Sequence, residues 1–232
     1  MAPSNLDVLA YEESPLGAIC LRRRELLSEP GTIVTEITLD HELLMSSHHT
    51  ASEVALSRCA LDQHAGDGLR VLIGGLGLGY TAHEVLRSDR VASVEVIELL
   101  PQVAAWLREG LVPLSEALNG DERLAVTEAD VYARLAAEPD TRFDLILIDV
   151  DHSPDERLGP GNASFYTEDG LRRARQHLAP NGVLGVWSYA ESSPFVSALR
   201  AVFEHVDVER VTFDNDFTNE SETNWLFFAR DA

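Results

Sequence analysis

From Leu69 onward, short apolar runs alternate with segments whose apolar residues recur at helical spacing. That alternation is the pattern of a parallel sheet covered by helices on both faces. It predicts strands near Arg70 to Gly74, Ser93 to Ile97, Leu124 to Thr127, Phe143 to Asp149, Gly182 to Trp187, Val206 to Thr212 and Asn224 to Ala229. Helices are expected between them, near Thr81 to Arg87, Pro101 to Glu109, Val131 to Ala137, Glu168 to His177 and Pro194 to Phe203. The earlier residues read as β. Gly17 to Leu26 and Thr32 to Leu39 alternate at strand spacing, and Asp40-His41 suits a tight turn into Glu42 to Ser46. Thr50 and Glu53 stand at capping-box spacing and open a predicted helix through about Leu61. The expectation is an α/β chain with a doubly wound, seven-stranded, mostly parallel sheet. Residues 1–48 form a small N-terminal β-hairpin region and residues 49–232 the main domain.

Composition narrows the partners. Hydrophobic residues make up 45% of the 232, yet no apolar run approaches the roughly 18 residues of a membrane span. The first residues, Met-Ala-Pro-Ser-Asn-Leu-Asp, lack the basic start and apolar stretch of a secretory signal, so a cytoplasmic location is expected. Cys20 and Cys59 lack metal-ligand spacing and read as small, reduced, buried residues. The formal net charge is −21, and all 18 basic side chains are Arg. Such a surface repels nucleic acid and anionic lipid and attracts small cations, although general solubility or adaptation to salt is the first explanation for it. Without Lys, Schiff-base chemistry is excluded. Arg22-Arg23-Arg24 reads by default as a solvated strand or turn.

The strongest local signal is Val71-Leu-Ile-Gly-Gly-Leu-Gly-Leu-Gly-Tyr-Thr-Ala-His-Glu-Val85. A buried strand runs into closely spaced glycines and then a helix, so a flat or charged ligand can approach bare backbone at Gly75, Gly77 and Gly79. Glu98 closes the next strand nineteen residues after Gly79, where a carboxylate can accept from both hydroxyls of a ribose. Asp130 follows the strand after that. Together these acids favour a nucleoside pocket, although each alone is more often a solvated loop residue or helix cap. A dinucleotide site fits less well, because Tyr80-Thr81-Ala82 stands where a G-x-G-x-x-G fingerprint needs its third glycine. Further on, Phe143-Asp-Leu-Ile-Leu-Ile-Asp-Val-Asp-His-Ser-Pro-Asp155 discharges Asp149, Asp151 and His152 at a strand's carboxyl end. Acids there can hold an amine or take its proton.

From Thr32 to Trp187 the chain resembles spermidine synthases and related polyamine aminopropyltransferases. The resemblance rests on Leu39-Asp-His-Glu-Leu-Leu-Met, Val-Leu-Ile-Gly-Gly, Val-Ile-Glu, the Asp130 segment, Asp-Val-Asp-His-Ser-Pro with Gly159-Pro160, Phe165-Tyr166 and Gly182-Val-Leu. It implies the Rossmann-like sheet of AdoMet-dependent methyltransferases, with the last strand antiparallel. It also implies decarboxylated S-adenosylmethionine as co-substrate, a small amine as acceptor, no metal, and a homodimer. Glu98 would be the ribose ligand, Asp130 the adenine ligand, and Asp149 the residue that holds or deprotonates the amine. Two departures stand out. Leu78 occupies the glycine-loop position where the family carries an Asp against the donor's ammonium. Met45, Ala51 and Ser52 replace a Gln, a Tyr and a His of the diamine groove. Loss of that Asp also removes a repulsion against intact S-adenosylmethionine. A small-molecule methyltransferase and a catalytically silent nucleoside-binding protein therefore stay open as alternatives. His48, His49, Trp187 and Tyr189 are candidates for the acceptor pocket. As neighbours at a helix start, the two histidines are not expected to share a metal.

Overall fold

The computed structural model describes residues 6–150, 153–155, 160–215 and 220–231. The chain opens with four antiparallel strands in sequence order: β1 (Leu6–Ser14), β2 (Gly17–Glu25), β3 (Ile33–Leu39) and β4 (Glu42–Ser46). Asp40 and His41 join the last two with φ of 47° and 72°, the left-handed pair that a two-residue hairpin turn requires. The Arg22–Arg24 cluster corrects the expectation of a solvated strand. Alternate residues of a strand share a face, so Arg22 and Arg24 converge on buried Glu36 of β3 at 2.8 and 2.7 Å. Arg23 points the other way and donates to the Leu111 carbonyl at 3.0 Å.

Helix α1 (Ala51–Gln63) follows, with Thr50 at its N-cap, but the expected capping box does not form. Thr50 makes no side-chain cap bond, and Glu53 turns inward onto the Ser52 hydroxyl. The second sheet is then laid down as β5 (Leu69–Gly74), α2 (Tyr80–Leu86), β6 (Val91–Glu98), α3 (Pro101–Arg108), α4 (Ser115–Asn119), β7 (Leu124–Glu128), α5 (Val131–Ala136) and β8 (Phe143–Ile148). A 3₁₀ turn at Pro160–Ser164 leads into α6 (Glu168–Gln176), β9 (Leu178–Ser188), α7 (Ser193–Val202), β10 (His205–Asn215) and β11 (Glu220–Arg230).

Its strand order is β10-β11-β9-β8-β5-β6-β7. The strands from β5 to β9 run parallel, and β11 enters antiparallel between β9 and β10, as expected for the last strand. Helices on both faces explain the unbroken apolar strands: Val71 and Ile73 of β5 face one core, Leu72 the other. The first core also takes in Ile19, Leu21 and Ile37 of the N-terminal sheet. Because the chain leaves β5 for β6 on one side and returns to β8 on the other, a crevice opens at the carboxyl ends of these strands. No described helix is long and apolar enough to cross a membrane.

Candidate active site

The crevice holds a cavity of about 360 Å³, within the size range of small-molecule sites. Its floor is the glycine loop. Gly75, at φ 92°, donates to the Ile97 carbonyl at 2.9 Å, which ties the end of β5 to β6. A Cβ on Gly75 would overlap the carbonyl oxygen of Asp149, so the close packing of loop against β8 admits only glycine. Gly77, at φ 52°, lies beneath Met45, whose Sδ would stand 2.5 Å from an added Cβ. Gly75 and Gly77 line the cavity. Gly79 instead starts α2 in a left-handed conformation, away from the lining. Leu78 also corrects its expected place in the cofactor site. Its side chain is fully buried in the apolar core rather than in the cavity wall, and only its backbone N–H reaches outward, to Met45 Sδ at 3.0 Å.

Glu98, at the end of β6, is buried. Its two carboxylate oxygens accept from the backbone N–H groups of Leu76 and Leu100, both at 2.8 Å. Burial pushes its pKa up, and the surrounding backbone donors oppose that shift. One strand over, Ala129 N–H donates to the Glu98 carbonyl at 3.0 Å, which sets Asp130 beside it at the end of β7. Asp130 is the N-cap of α5: its Oδ1 accepts from Tyr132 N at 2.8 Å and Ala133 N at 3.3 Å. The helix-cap role and a place on the cavity wall thus coexist in one residue, and Glu98 and Asp130 face the same hollow.

Asp149 occupies the middle of the crevice, where its Oδ2 accepts from the Thr81 hydroxyl at 2.7 Å. Desolvation raises its pKa to about 6, against the opposing Thr81 hydrogen bond. Beyond it lies Glu53, raised to about 7 by burial first and by the charge of Asp149 second. Two neighbouring acids whose charges repel take up their protons as a pair. Glu53 Oε2 accepts from Ser52 Oγ at 2.8 Å, and Ser52 Oγ in turn accepts from Asn224 Nδ2 of β11 at 2.9 Å.

Trp187, Tyr189 and His49 line the cavity, as does Asn224. His48 packs against His49 with ring centroids 4.2 Å apart but is not itself in the lining. Asp151 and His152 lie outside the described residues. Sequence reasoning did not single out Thr81, Glu53 or Asn224 as site residues. For Glu53 a signal existed: positions 53, 56, 57 and 60 share one helical face, and all four are buried.

No protein-family model matches the chain. Over 123 residues it is 37% identical to polyamine aminopropyltransferase 2 of Streptomyces coelicolor, a match covering 52% of this chain and 22% of that one. Over 159 residues it is 28% identical to the polyamine aminopropyltransferase of Oceanobacillus iheyensis, covering 62% and 30%. The matched segment is therefore under a third of the length of either relative. Among solved structures, a spermidine synthase in complex with the transition-state analogue AdoDATO aligns with a TM-score of 0.78 and 21% identity. That alignment covers 97% of this chain and 74% of the other. The fold is that of the spermidine synthase structure.

Proposed function

We propose that this spermidine synthase-like chain binds decarboxylated S-adenosylmethionine and transfers its aminopropyl group to a small primary amine. One observation carries the reading. The otherwise largely apolar cavity presents five carboxylates, Glu53, Glu98, Asp130, Asp149 and Glu222, and no Arg or Lys among its described lining residues. A donor bearing a sulfonium and an ammonium complements that field. Intact S-adenosylmethionine adds a carboxylate for which the described wall holds no Arg or Lys partner. The loss of the family's acid at Leu78 does not relieve this, because the Leu78 side chain lies outside the cavity.

In this reading Glu98 accepts from the ribose hydroxyls and Asp130 from the adenine amine, with Gly75 and Gly77 beneath the nucleoside. Asp149 holds the acceptor amine and receives its proton. The neutral nitrogen then attacks the methylene carbon bonded to sulfur. A C–N bond forms as the C–S bond breaks, the bonding pair stays on sulfur as a neutral thioether, and the positive charge passes to nitrogen. Positioning and exclusion of water supply the rate, because the step asks for no other electrophile. The test is release of 5′-methylthioadenosine from decarboxylated S-adenosylmethionine across a panel of diamines, read by mass spectrometry. Asp149→Asn is expected to abolish turnover and keep nucleoside binding. Methyl transfer from intact S-adenosylmethionine, with no thioether nucleoside released from the decarboxylated donor, would overturn the proposal.

A further inference from the structure

Elsewhere in this chain, buried carboxylates with strong partners meet guanidinium groups. Glu36 sits between Arg22 and Arg24, and Glu84 between Arg58 and Arg87. Glu98 is met by backbone N–H donors. Glu53 and Asp149 are treated differently. Each is met by one side-chain hydroxyl, from Ser52 and Thr81 respectively, Glu53 also by its own backbone N–H, and neither by a cation among the described residues. Both lie in the wall of one apolar cavity, close enough to share their titration. A buried acid beside a half-buried one, with no counter-ion among the described residues, is costly unless something that binds between them carries positive charge. The helix face that holds Glu53 is fixed from below: the Ser57 hydroxyl bonds both the Glu53 carbonyl at 3.2 Å and the Thr81 carbonyl at 3.0 Å. Hydrogen bonds thus lock Glu53 and Thr81, and through Thr81 Asp149, into one frame.

Resting on the reading of the cavity as an amine-alkylating site, we propose that Glu53 is a specificity-determining residue for the acceptor. Together with Asp149 it forms a two-carboxylate cradle in the cavity wall that admits a primary ammonium. The ammonium enters as the missing counter-ion and gives one proton to the pair, which leaves a neutral amine and a singly protonated pair. The hydrogen bonds from Asn224 to Ser52 and from Ser52 to Glu53 orient this wall of the cradle from β11. Tyr80 of α2 lies near Glu53, and the other titratable groups of the same lining are His49 before α1, Glu98, Asp130, Tyr132, Tyr189 after β9 and Glu222 of β11.

Calorimetry on wild type and Glu53→Gln separates this from the nucleoside reading. The probes are 5′-methylthioadenosine, which has no amine, and then α,ω-diamines of three to five carbons added to the nucleoside-saturated protein. Loss of one charged hydrogen-bond partner is expected to weaken diamine binding about 10- to 100-fold, with the affinity for 5′-methylthioadenosine unchanged. Equal diamine affinity in both proteins, equal weakening of both probes, or no diamine binding to wild type would overturn the proposal. Failure of wild type to bind 5′-methylthioadenosine would overturn the nucleoside reading itself. A measurement on wild type alone guards against a misfolded variant. Near pH 6, diamine binding measured in buffers of different ionisation enthalpy should release protons from the pair, and the release should vanish above about pH 8. Binding with no proton release near pH 6 counts against the cradle.

Discussion

Replacing Gly75 by alanine imposes two separable costs at one position, and the structure supplies a control for the first of them. The backbone at Gly75 has φ 92°, a left-handed conformation that costs an L-residue about 1–2 kcal/mol. The added Cβ would also overlap the Asp149 carbonyl oxygen and lie 3.1 Å from the carbonyl carbon, so the loop or the end of β8 has to move. Overpacking of that kind adds about 1–3 kcal/mol. Gly110 has φ 80° and nothing within 4 Å of an added Cβ, so Gly110→Ala bears the backbone cost alone. Urea unfolding is expected to give a loss of about 1–2 kcal/mol for Gly110→Ala and about 2–5 kcal/mol for Gly75→Ala. Calorimetry with 5′-methylthioadenosine should show unchanged affinity in the first variant. In the second, a displaced loop should weaken affinity by at least about tenfold, since tenfold is only about 1.4 kcal/mol. Equal destabilisation of the two variants, or normal nucleoside affinity in Gly75→Ala, would refute the assignment of a steric role to this glycine.

Three further outcomes are expected. Glu98→Gln leaves one of two backbone N–H groups facing an amide donor, which should cost about 1–3 kcal/mol of stability and weaken 5′-methylthioadenosine binding; unchanged unfolding and binding curves would contradict the cradle of Leu76 and Leu100. Folded Glu53 holds its proton up to about pH 7 against an ordinary value of 4.5, so folding takes up a proton in that window and stability falls as pH rises through it. The loss is about 3 kcal/mol; Glu53→Gln should flatten that part of the stability profile, and parallel wild-type and variant profiles would rule the shift out. Leu78→Asp puts a carboxylate into an apolar core, with an expected loss of at least about 3 kcal/mol in urea unfolding. A stable Leu78→Asp protein with raised affinity for decarboxylated S-adenosylmethionine would mean that this side chain faces the cavity after all.

What the sequence made legible follows from where two kinds of pattern are strong. Strands buried on both faces read as unbroken apolar runs, so β5, β6 and β8 and the acids at the strand ends could be found without coordinates. Strand β1 was not, because it is an edge strand whose residues are exposed or half-buried and whose partner is recognised only through pairing with β2. Helix α4 has five residues, too few for periodicity to register. The site divides the same way. Glu98 and Asp130 sit where strand ends put them, whereas Thr81 reaches Asp149 across 68 positions of sequence and Asn224 reaches Ser52 across 172. Such pairs come from tertiary packing, and local spacing is silent about them. Glu53 misled because Thr50-x-x-Glu53 has the spacing of a cap, while the buried face of α1 draws the same carboxylate inward. Leu78 misled because a motif resemblance gives a residue's place in the loop but not its direction, and an apolar side chain next to a core turns into it.

The most direct test of the account is a calorimetric ranking of three ligands that share one nucleoside: 5′-methylthioadenosine, decarboxylated S-adenosylmethionine and intact S-adenosylmethionine. An acid-lined cavity without Arg or Lys among its described residues predicts that the decarboxylated donor binds more tightly than the thioether, and intact S-adenosylmethionine less tightly than the decarboxylated donor. Tighter binding of intact S-adenosylmethionine than of its decarboxylated form would contradict it.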